Sequence, residues 1–378
     1  MNVRRSAVGQ APHCVVAGGS LVGLSAAIAL SRLGINVTVL ERSPARASAG
    51  GGGLGVDATL LQEVTGIGDA PPVVHGGDRD TTAWHLLQGW LEDHALARGI
   101  MVRRGTQVTA VQPGSGLQPA RVVTADAGDY SADLVIGADG ARSQIRASVA
   151  PDDPGARYAG VLLWRALVDE QALPDEVARP RSGEPSREVY AGPYRLVTYL
   201  VPGAAGQTGV GHRRLNLVWY DPEQGDLLRG LGLLDDETVH ASLAPEAVPG
   251  PVRERLAAFA AANWPSPWRE ALALALVGGT VFGTPIVHYK PRRLVCGRAA
   301  LAGDAAHAAS PMVGGGFRQG LYDVAAMAQL MTGPIAPAAI PDALCRYQQQ
   351  RLGPAARHVT VSEQATAAYL ARAALGRS

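Results

Sequence analysis

Apolar residues in the first part of the chain alternate between short continuous runs and stretches at helical spacing. Residues 13–17 (HCVVA) have the length of a buried strand and end in a glycine-rich turn, Gly18–Gly23. Residues 21–33 place apolar side chains at helical spacing, and Gly34 suits the C-terminal cap. Residues 35–40 (INVTVL) are a second strand-like run that ends at Glu41, which completes a βαβ unit. Beyond a glycine loop at Gly50–Gly53, the pattern predicts a helix over 86–98 and strands over 106–111, 121–125 and 133–137. The last strand leads into Ala138-Asp139-Gly140. From 151 to 275 the character changes. β-rich stretches at 160–168, 188–201 and 214–220 are broken by Pro- and Gly-rich turns, which predicts a mixed or antiparallel sheet with a helix near 251–263. Strand character resumes at 280–287 and 299–302, a helix is expected from Gly316 to Met331, and 341–375 reads as helical.

Composition narrows the class. Of 378 residues, 47% are hydrophobic and 18% charged, enough apolar material for a sizeable core and no basis for disorder. A net charge of +1 argues against nucleic acid as a partner. No run of about 18 apolar residues predicts a membrane span, and the basic N-terminus lacks the apolar core of a signal peptide. Cys14, Cys296 and Cys345 fit no zinc spacing, and Cys14 and Cys296 read as buried free thiols in a reducing cytoplasm. No metal is expected.

Three strand ends carry candidate chemistry. The turn Gly18-Gly19-Ser20-Leu21-Val22-Gly23 follows the dinucleotide pattern with Ser20 in place of the middle glycine. Gly18 permits the tight turn, Gly23 lets helix and strand approach, and the helix N-terminus attracts a pyrophosphate. Glu41 stands where a carboxylate meets ribose hydroxyls, and Arg42 reads as an adenine neighbour. The second strand end reads DLVIGADGARSQIR over 133–146, and the third LAGDAAHAASPMVGGGFRQG over 301–320. Each places an acid, Asp139 or Asp304, at the carboxyl end of a strand, where ligands gather in open α/β sheets.

On these three signatures the chain resembles the FAD-dependent aromatic hydroxylases of the para-hydroxybenzoate hydroxylase type, the class A flavoprotein monooxygenases. Through the phrases WRALV (164–168) and RLNLVWY (214–220) it is most similar to the short 2,6-dihydroxypyridine hydroxylase and urate hydroxylase branch. The resemblance implies an α/β chain, α+β overall. It would comprise a discontinuous Rossmann-like FAD-binding domain (1–72, 84–150 and 276–378), a mixed-sheet substrate domain (73–83 and 151–275) and C-terminal helices. It implies that Gly18, Gly19, Ser20, Leu21 and Gly23 form the pyrophosphate turn, that Glu41 holds the AMP ribose, and that Val108 meets adenine through its backbone. Gly303 and Asp304 would serve the ribityl and pyrophosphate region. The loop from Pro311 would lie against the isoalloxazine, with the N–H groups of Gly315, Gly316 and Phe317 toward N1 and O2. Asp139 would orient backbone and help to bind NAD(P)H. The implied activity is hydroxylation of a small aromatic or heteroaromatic compound by O2 through a flavin C4a-hydroperoxide, in a cytoplasmic monomer or homodimer.

Two positions depart from the family pattern. Trp84 stands where an arginine often contacts FAD, and Arg318 follows the glycine run Gly314–Gly316. The expected pocket lies on the middle sheet. His212, Arg165 and Tyr190 are the candidate catalytic residues, with Trp164, Tyr199 and Tyr220 as pocket walls. His307 reads as support for the cofactor loop. The cofactor motifs are silent on substrate, so an epoxidase or Baeyer–Villiger-type oxygenase on the same scaffold stays open, as does a non-catalytic flavin-binding protein. A flavin halogenase is disfavoured because it needs a catalytic lysine and Lys290, the only lysine, lies in a polar turn.

Overall fold

The computed structural model describes residues 11–46, 51–77, 79–116, 118–153, 155–180, 183 and 186–376. Its first sheet has the strand order Val295–Cys296, Ala299–Leu301, Leu134–Gly137, His13–Ala17, Asn36–Glu41, Met101–Arg104. The strands run parallel except for the short Val295–Cys296 edge. The central strands are continuous apolar runs because both of their faces are covered. Helix Leu21–Ser31 is buried from Leu21 to Leu30 with one interruption at Val22, as expected of a helix sandwiched between the sheet and other helices. The predicted strands near 106–111 and 121–125 belong elsewhere, to a separate antiparallel meander of Val108–Gln112, Ala120–Thr124 and Tyr130–Ala132.

The second sheet is antiparallel, with the order Arg187–Ala191, Tyr194–Val201, Arg214–Asp221, Arg157–Asp169, Thr238–Val239, Leu234–Asp235. Strand Phe282–His288 also pairs with Arg157–Asp169, although the sequence division at 275/276 placed it with the first sheet. The stretch 188–201 is a hairpin that turns at Gly192-Pro193. Period-two alternation sorts the side chains. Leu162, Trp164 and Ala166 pack against helices Gly250–Asn263 and Trp268–Val277, while Leu163 and Arg165 face a cleft between the sheets. A three-stranded ribbon of Gly53–Val56, Asp80–Ala83 and Val74–His75 joins the two sheets. Gly53 N–H donates to Asn216 Oδ1 at 2.7 Å, Arg165 Nη2 donates to Gly53 O at 2.9 Å, and Thr81 Oγ1 donates to Leu200 O at 2.6 Å.

Helix Gly316–Leu330 and the C-terminal helix Ile340–Leu375 close over the first sheet. They meet at Asp323, which is wholly buried. Its carboxylate accepts from Gly303 N–H at 2.9 Å, His307 Nε2 at 2.7 Å and Arg351 Nε at 2.7 Å. Burial alone would raise the Asp323 carboxyl, but His307, Arg351 and the Gly303 amide outweigh it and hold it below the usual range. Burial would likewise lower His307, and Asp323 outweighs it and raises the imidazole. Among the described residues no helix is long and apolar enough to cross a membrane.

Asp323→Asn leaves buried cations without their counter-charge. Chemical denaturation should show a loss of about 3 kcal/mol. The signs of the two shifts place the pair's contribution in one pH window. It is full between the ordinary carboxylate range and the ordinary histidine range. It falls away as pH drops through the folded Asp323 value or climbs through the raised His307 value.

Candidate active site

The glycine turn is built by contacts that leave no room for side chains. Gly18 has φ +109°, and a Cβ there would lie 2.3 Å from Ala138 O. A Cβ on Gly23 would lie 1.9 Å from Gly18 O, so the helix can start only where it does. Gly303 presses on Val22 in the same way, at 2.9 Å. Glu41 accepts from Gly19 N–H at 2.7 Å and from Ser43 N–H at 2.8 Å, which fixes its carboxylate at the rim of the turn. Ser20 is the N-cap of helix Leu21–Ser31 but makes no side-chain capping bond. The first-turn amides carry the helix's partial positive charge and have no partner within the helix.

The other two strand ends close on the same space. Asp139 accepts from Ser143 Oγ at 2.6 Å and from Gln144 N–H at 2.7 Å, so it orients the backbone at the start of helix Ile145–Val149. Arg146, the last residue of the second motif and one to which the sequence assigned no role, ties this turn to the third one. It donates to Ala305 O at 3.0 Å, Asp304 O at 3.1 Å and Ala141 O at 2.9 Å, and lies 3.8 Å over the Tyr289 ring. Asp304 is exposed to the open cleft. The protein mass around the cleft raises its carboxyl above the usual range against the pull of His307 and Arg146. Gly314 (φ +64°) and Gly315 (φ +77°) then bend the chain into helix Gly316–Leu330, whose first turn opens on the cleft.

These parts line one cleft of about 1490 Å³, larger than a single small ligand needs. Gly18, Gly19, Ser20, Leu21, Glu41, Arg42, Val108, Asp139, Asp304, Pro311, Gly315, Gly316 and Phe317 all line it. Gly23 and Gly303 stand behind the wall and act by lacking a side chain. Trp84 heads helix Trp84–Ala97 and packs beside Gly51. One turn on, Gln88 lines the cleft too. Its Nε2 donates to Gly19 O at 3.1 Å, while its Oε1 is buried without a partner. The signal for Gln88 was its position four residues after Trp84, on the same helix face. Arg318 is exposed at the cleft edge, 3.3 Å from where a Gly315 Cβ would stand.

The second sheet supplies the far wall, and here three expectations need correction. Arg165, Tyr199 and Tyr220 line the cleft as predicted, with Leu163, Val197 and Val218. Trp164 does not. It sits on the opposite pleat, 1% exposed, with its indole N–H on Asp221 Oδ2 at 2.9 Å. His212 is exposed in the turn before strand Arg214–Asp221 and meets Gln171 Nε2 at 2.8 Å, away from the cleft. Tyr190 is 43% exposed on the edge strand, where its hydroxyl donates to Glu188 and the Arg372 guanidinium covers its ring at 3.7 Å. Arg195, which the sequence reading missed, lines the cleft. It donates to Glu188 Oε2 at 2.9 Å and stacks 4.7 Å over Tyr220. Burial raises the Tyr199 phenol and pushes Tyr220 up to about 12, so both stay protonated donors near neutrality. No histidine lines the cleft among the described residues.

The donor set fits a flavin dinucleotide. Two helix N-termini open on one cleft, glycine backbone lies bare where phosphate and ring must approach, a carboxylate waits at the ribose position, and Gln88 Oε1 lacks a donor. Comparison with known proteins agrees. Residues 2–155 match the pyridine nucleotide-disulphide oxidoreductase family, 158–274 an FAD binding domain-like family and 284–362 the FAD binding domain family. Aurachin C monooxygenase/isomerase of Stigmatella aurantiaca is 27% identical over 369 residues, spanning 89% of this chain and 84% of that protein. Hispidin-3-hydroxylase of Neonothopanus nambi is 29% identical, spanning 89% and 84%. Among solved structures, 2,6-dihydroxypyridine-3-hydroxylase from Arthrobacter nicotinovorans superposes with a TM-score of 0.74 at 21% identity, covering 93% of this chain and 91% of that one. Klebsiella pneumoniae HpxO complexed with FAD and uric acid gives 0.69 at 22% identity, covering 96% and 93%. Three matched segments in sequence order, relatives that span most of the chain and three strand ends that meet at one cleft point the same way: along most of its length the chain is similar to FAD-binding monooxygenases.

Proposed function

We propose that this protein is an FAD-dependent monooxygenase that uses NAD(P)H and O2 to hydroxylate a small aromatic or heteroaromatic compound. The observation that carries the reading is the single cleft shared by the three strand ends and by one face of the second sheet. When bound, FAD supplies electron transfer from a reduced nicotinamide to O2. The chain's own residues supply position and polarity. The first-turn amides at Ser20 and Leu21 receive phosphate, Glu41 receives ribose hydroxyls, and the amides of Gly315, Gly316 and Phe317 offer positive dipole to negative charge on the ring.

On the opposite wall Leu163, Val197 and Val218 exclude water, and Tyr199 and Tyr220 offer phenolic donors. Among the described residues no histidine lies at this wall, both phenols stay protonated, and the carboxylate on it, Glu188, is engaged by Arg195 and Tyr190 and held below the usual range, so no side chain there is poised to take a proton near pH 7. The aromatic compound therefore enters already ionised, or ionises by its own acidity. The first sheet offers one glycine-rich βαβ turn among the described residues, so the nicotinamide cosubstrate docks transiently across the same cleft.

Purified protein should be yellow. Glu41→Gln should weaken FAD binding about tenfold, measured by quenching of flavin fluorescence, because a charged hydrogen-bond acceptor is lost. NAD(P)H oxidation should be stimulated by members of a panel of phenols and hydroxypyridines, with an atom of labelled O2 in the product. A colourless protein that takes up no FAD would end this reading. In a pH series, kcat/KM should rise through the solution pKa of each substrate and move from one substrate to the next. A single inflection common to all substrates would reveal an enzyme base that the cleft does not display.

A further inference from the structure

The loop that carries Pro311 holds its shape beside the cleft without belonging to either sheet. Ser310, Met312, Val313 and Gly315 all line the cleft. Loop backbone keeps one geometry only where its polar groups are bonded. Inside the loop, Met312 N–H donates to Ser310 Oγ at 3.2 Å. Two further bonds anchor it from outside: Tyr289 N–H donates to Ala308 O at 2.9 Å, and Ser310 N–H donates to Ser362 Oγ at 2.7 Å. The second of these reaches a side chain of the C-terminal helix.

Ser362 is wholly buried inside helix Ile340–Leu375, at a position where alanine is the better helix former. A hydroxyl there cannot reach water, so its partners decide what it contributes. Its oxygen accepts from Ser310, and its O–H faces His288 Nε2 at 3.1 Å. Burial lowers the His288 imidazole against the pull of Glu363, so the ring is neutral near pH 7 and can accept from the hydroxyl. Thr366 Oγ1 donates to Ser362 O at 2.9 Å and steadies the helix at this point. His288 ends strand Phe282–His288, whose Thr284 and Ile286 line the cleft from the second sheet. One hydroxyl thus joins the Pro311 loop to a strand of the opposite wall.

We infer that Ser362 is a positioning residue: held by His288, it fixes the Ser310 amide and so sets how the loop presents the amides of Gly315, Gly316 and Phe317 to bound flavin. This rests on the FAD reading above and deepens it. Without the hydroxyl, Ser310 N–H is left buried with no acceptor and the loop relaxes away from its present geometry. The helix-start amides favour the reduced ring, which carries the negative charge, so the loss falls on the reduced form.

The test is the midpoint potential of bound FAD at saturating cofactor, read by equilibrium titration against reference dyes, with circular dichroism and thermal unfolding alongside. Ser362→Ala should bind reduced flavin about tenfold more weakly relative to oxidised flavin, the scale of one lost hydrogen bond. For a two-electron couple that ratio lowers the potential by about 30 mV. His288→Leu should lower it by a smaller amount, and His288→Gln, whose amide can still accept, should stay near wild type. Val359→Ala removes wholly buried packing three residues earlier in the same helix. It should lower the unfolding temperature and leave the potential alone. An unmoved or raised potential in Ser362→Ala overturns the inference, as does a shift of the same size in Val359→Ala. If Ser362→Ala does not fold, the His288 pair decides, and equal potentials in the Leu and Gln variants overturn the inference. The two readings fail separately: a yellow Ser362→Ala protein with unchanged potential removes only the role of Ser362, whereas wild-type protein that takes up no FAD removes the monooxygenase.

Discussion

Asp323 carries its charge at full burial, and three donors from two separate stretches of chain converge on it: the Gly303 amide and His307 imidazole from one, the Arg351 guanidinium from the other. Gly303 sits at a strand end, His307 begins the loop toward Pro311, and Arg351 belongs to the C-terminal helix. One carboxylate therefore sets where Asp304 meets the cleft and how the two long helices lie over the sheet. Two buried arginines do related work with neutral acceptors. Arg146 joins the second and third strand ends through backbone carbonyls. Arg298, which is 1% exposed, donates to Gln118, Asp133, Pro337 and Gly116 carbonyls at 2.7–3.0 Å. Directional bonds of this kind specify a geometry that apolar packing alone leaves loose.

The site itself is a meeting of two sheets with different rules. The parallel sheet offers strand ends, turns and helix N-termini, which suit phosphate and flavin. The antiparallel sheet offers one pleated face, which suits a flat apolar ring with a few donors. The ribbon at Gly53–Val56 fastens them, since both backbone groups of Gly53 are held by side chains of the second sheet. The same arginine thus serves the seam and the pocket, which makes the position of the ring sensitive to the seam.

Local chemistry explains what the sequence disclosed. Glycine turns, the acid at the end of the second strand and the start of helix Gly316–Leu330 depend on nearby residues, so Gly18, Gly23, Glu41 and Gly315 could be read directly. The pocket could not. Strand Arg157–Asp169 is buried on both faces over much of its length, so its pattern does not say whether Trp164 or Arg165 faces the cleft. Tyr190 read as part of one long strand, because the tight turn at Gly192-Pro193 gave too weak a break. His212 drew attention as the one side chain with a suitable ionisation range, a property that says nothing of where it points. The allegiance of Phe282–His288 depends on pairing with residues more than a hundred positions away, which no local pattern encodes. The contacts of Gln88 with Gly19 and of Arg146 with Asp304 and Ala305 are equally distant, so neither role could be read.

The order in which the sheets are completed has a consequence for biosynthesis. Strand Leu134–Gly137 pairs on one side with His13–Ala17 and on the other with Ala299–Leu301. The latter leaves the ribosome only after the whole of the second sheet. At ribosomal speeds of roughly 5–20 residues per second, an apolar edge stays unpaired for on the order of ten seconds. Such an edge invites pairing with other nascent chains. The yield of native protein is therefore set by how well that interval is shielded, and slower translation of the middle segment lengthens the exposure.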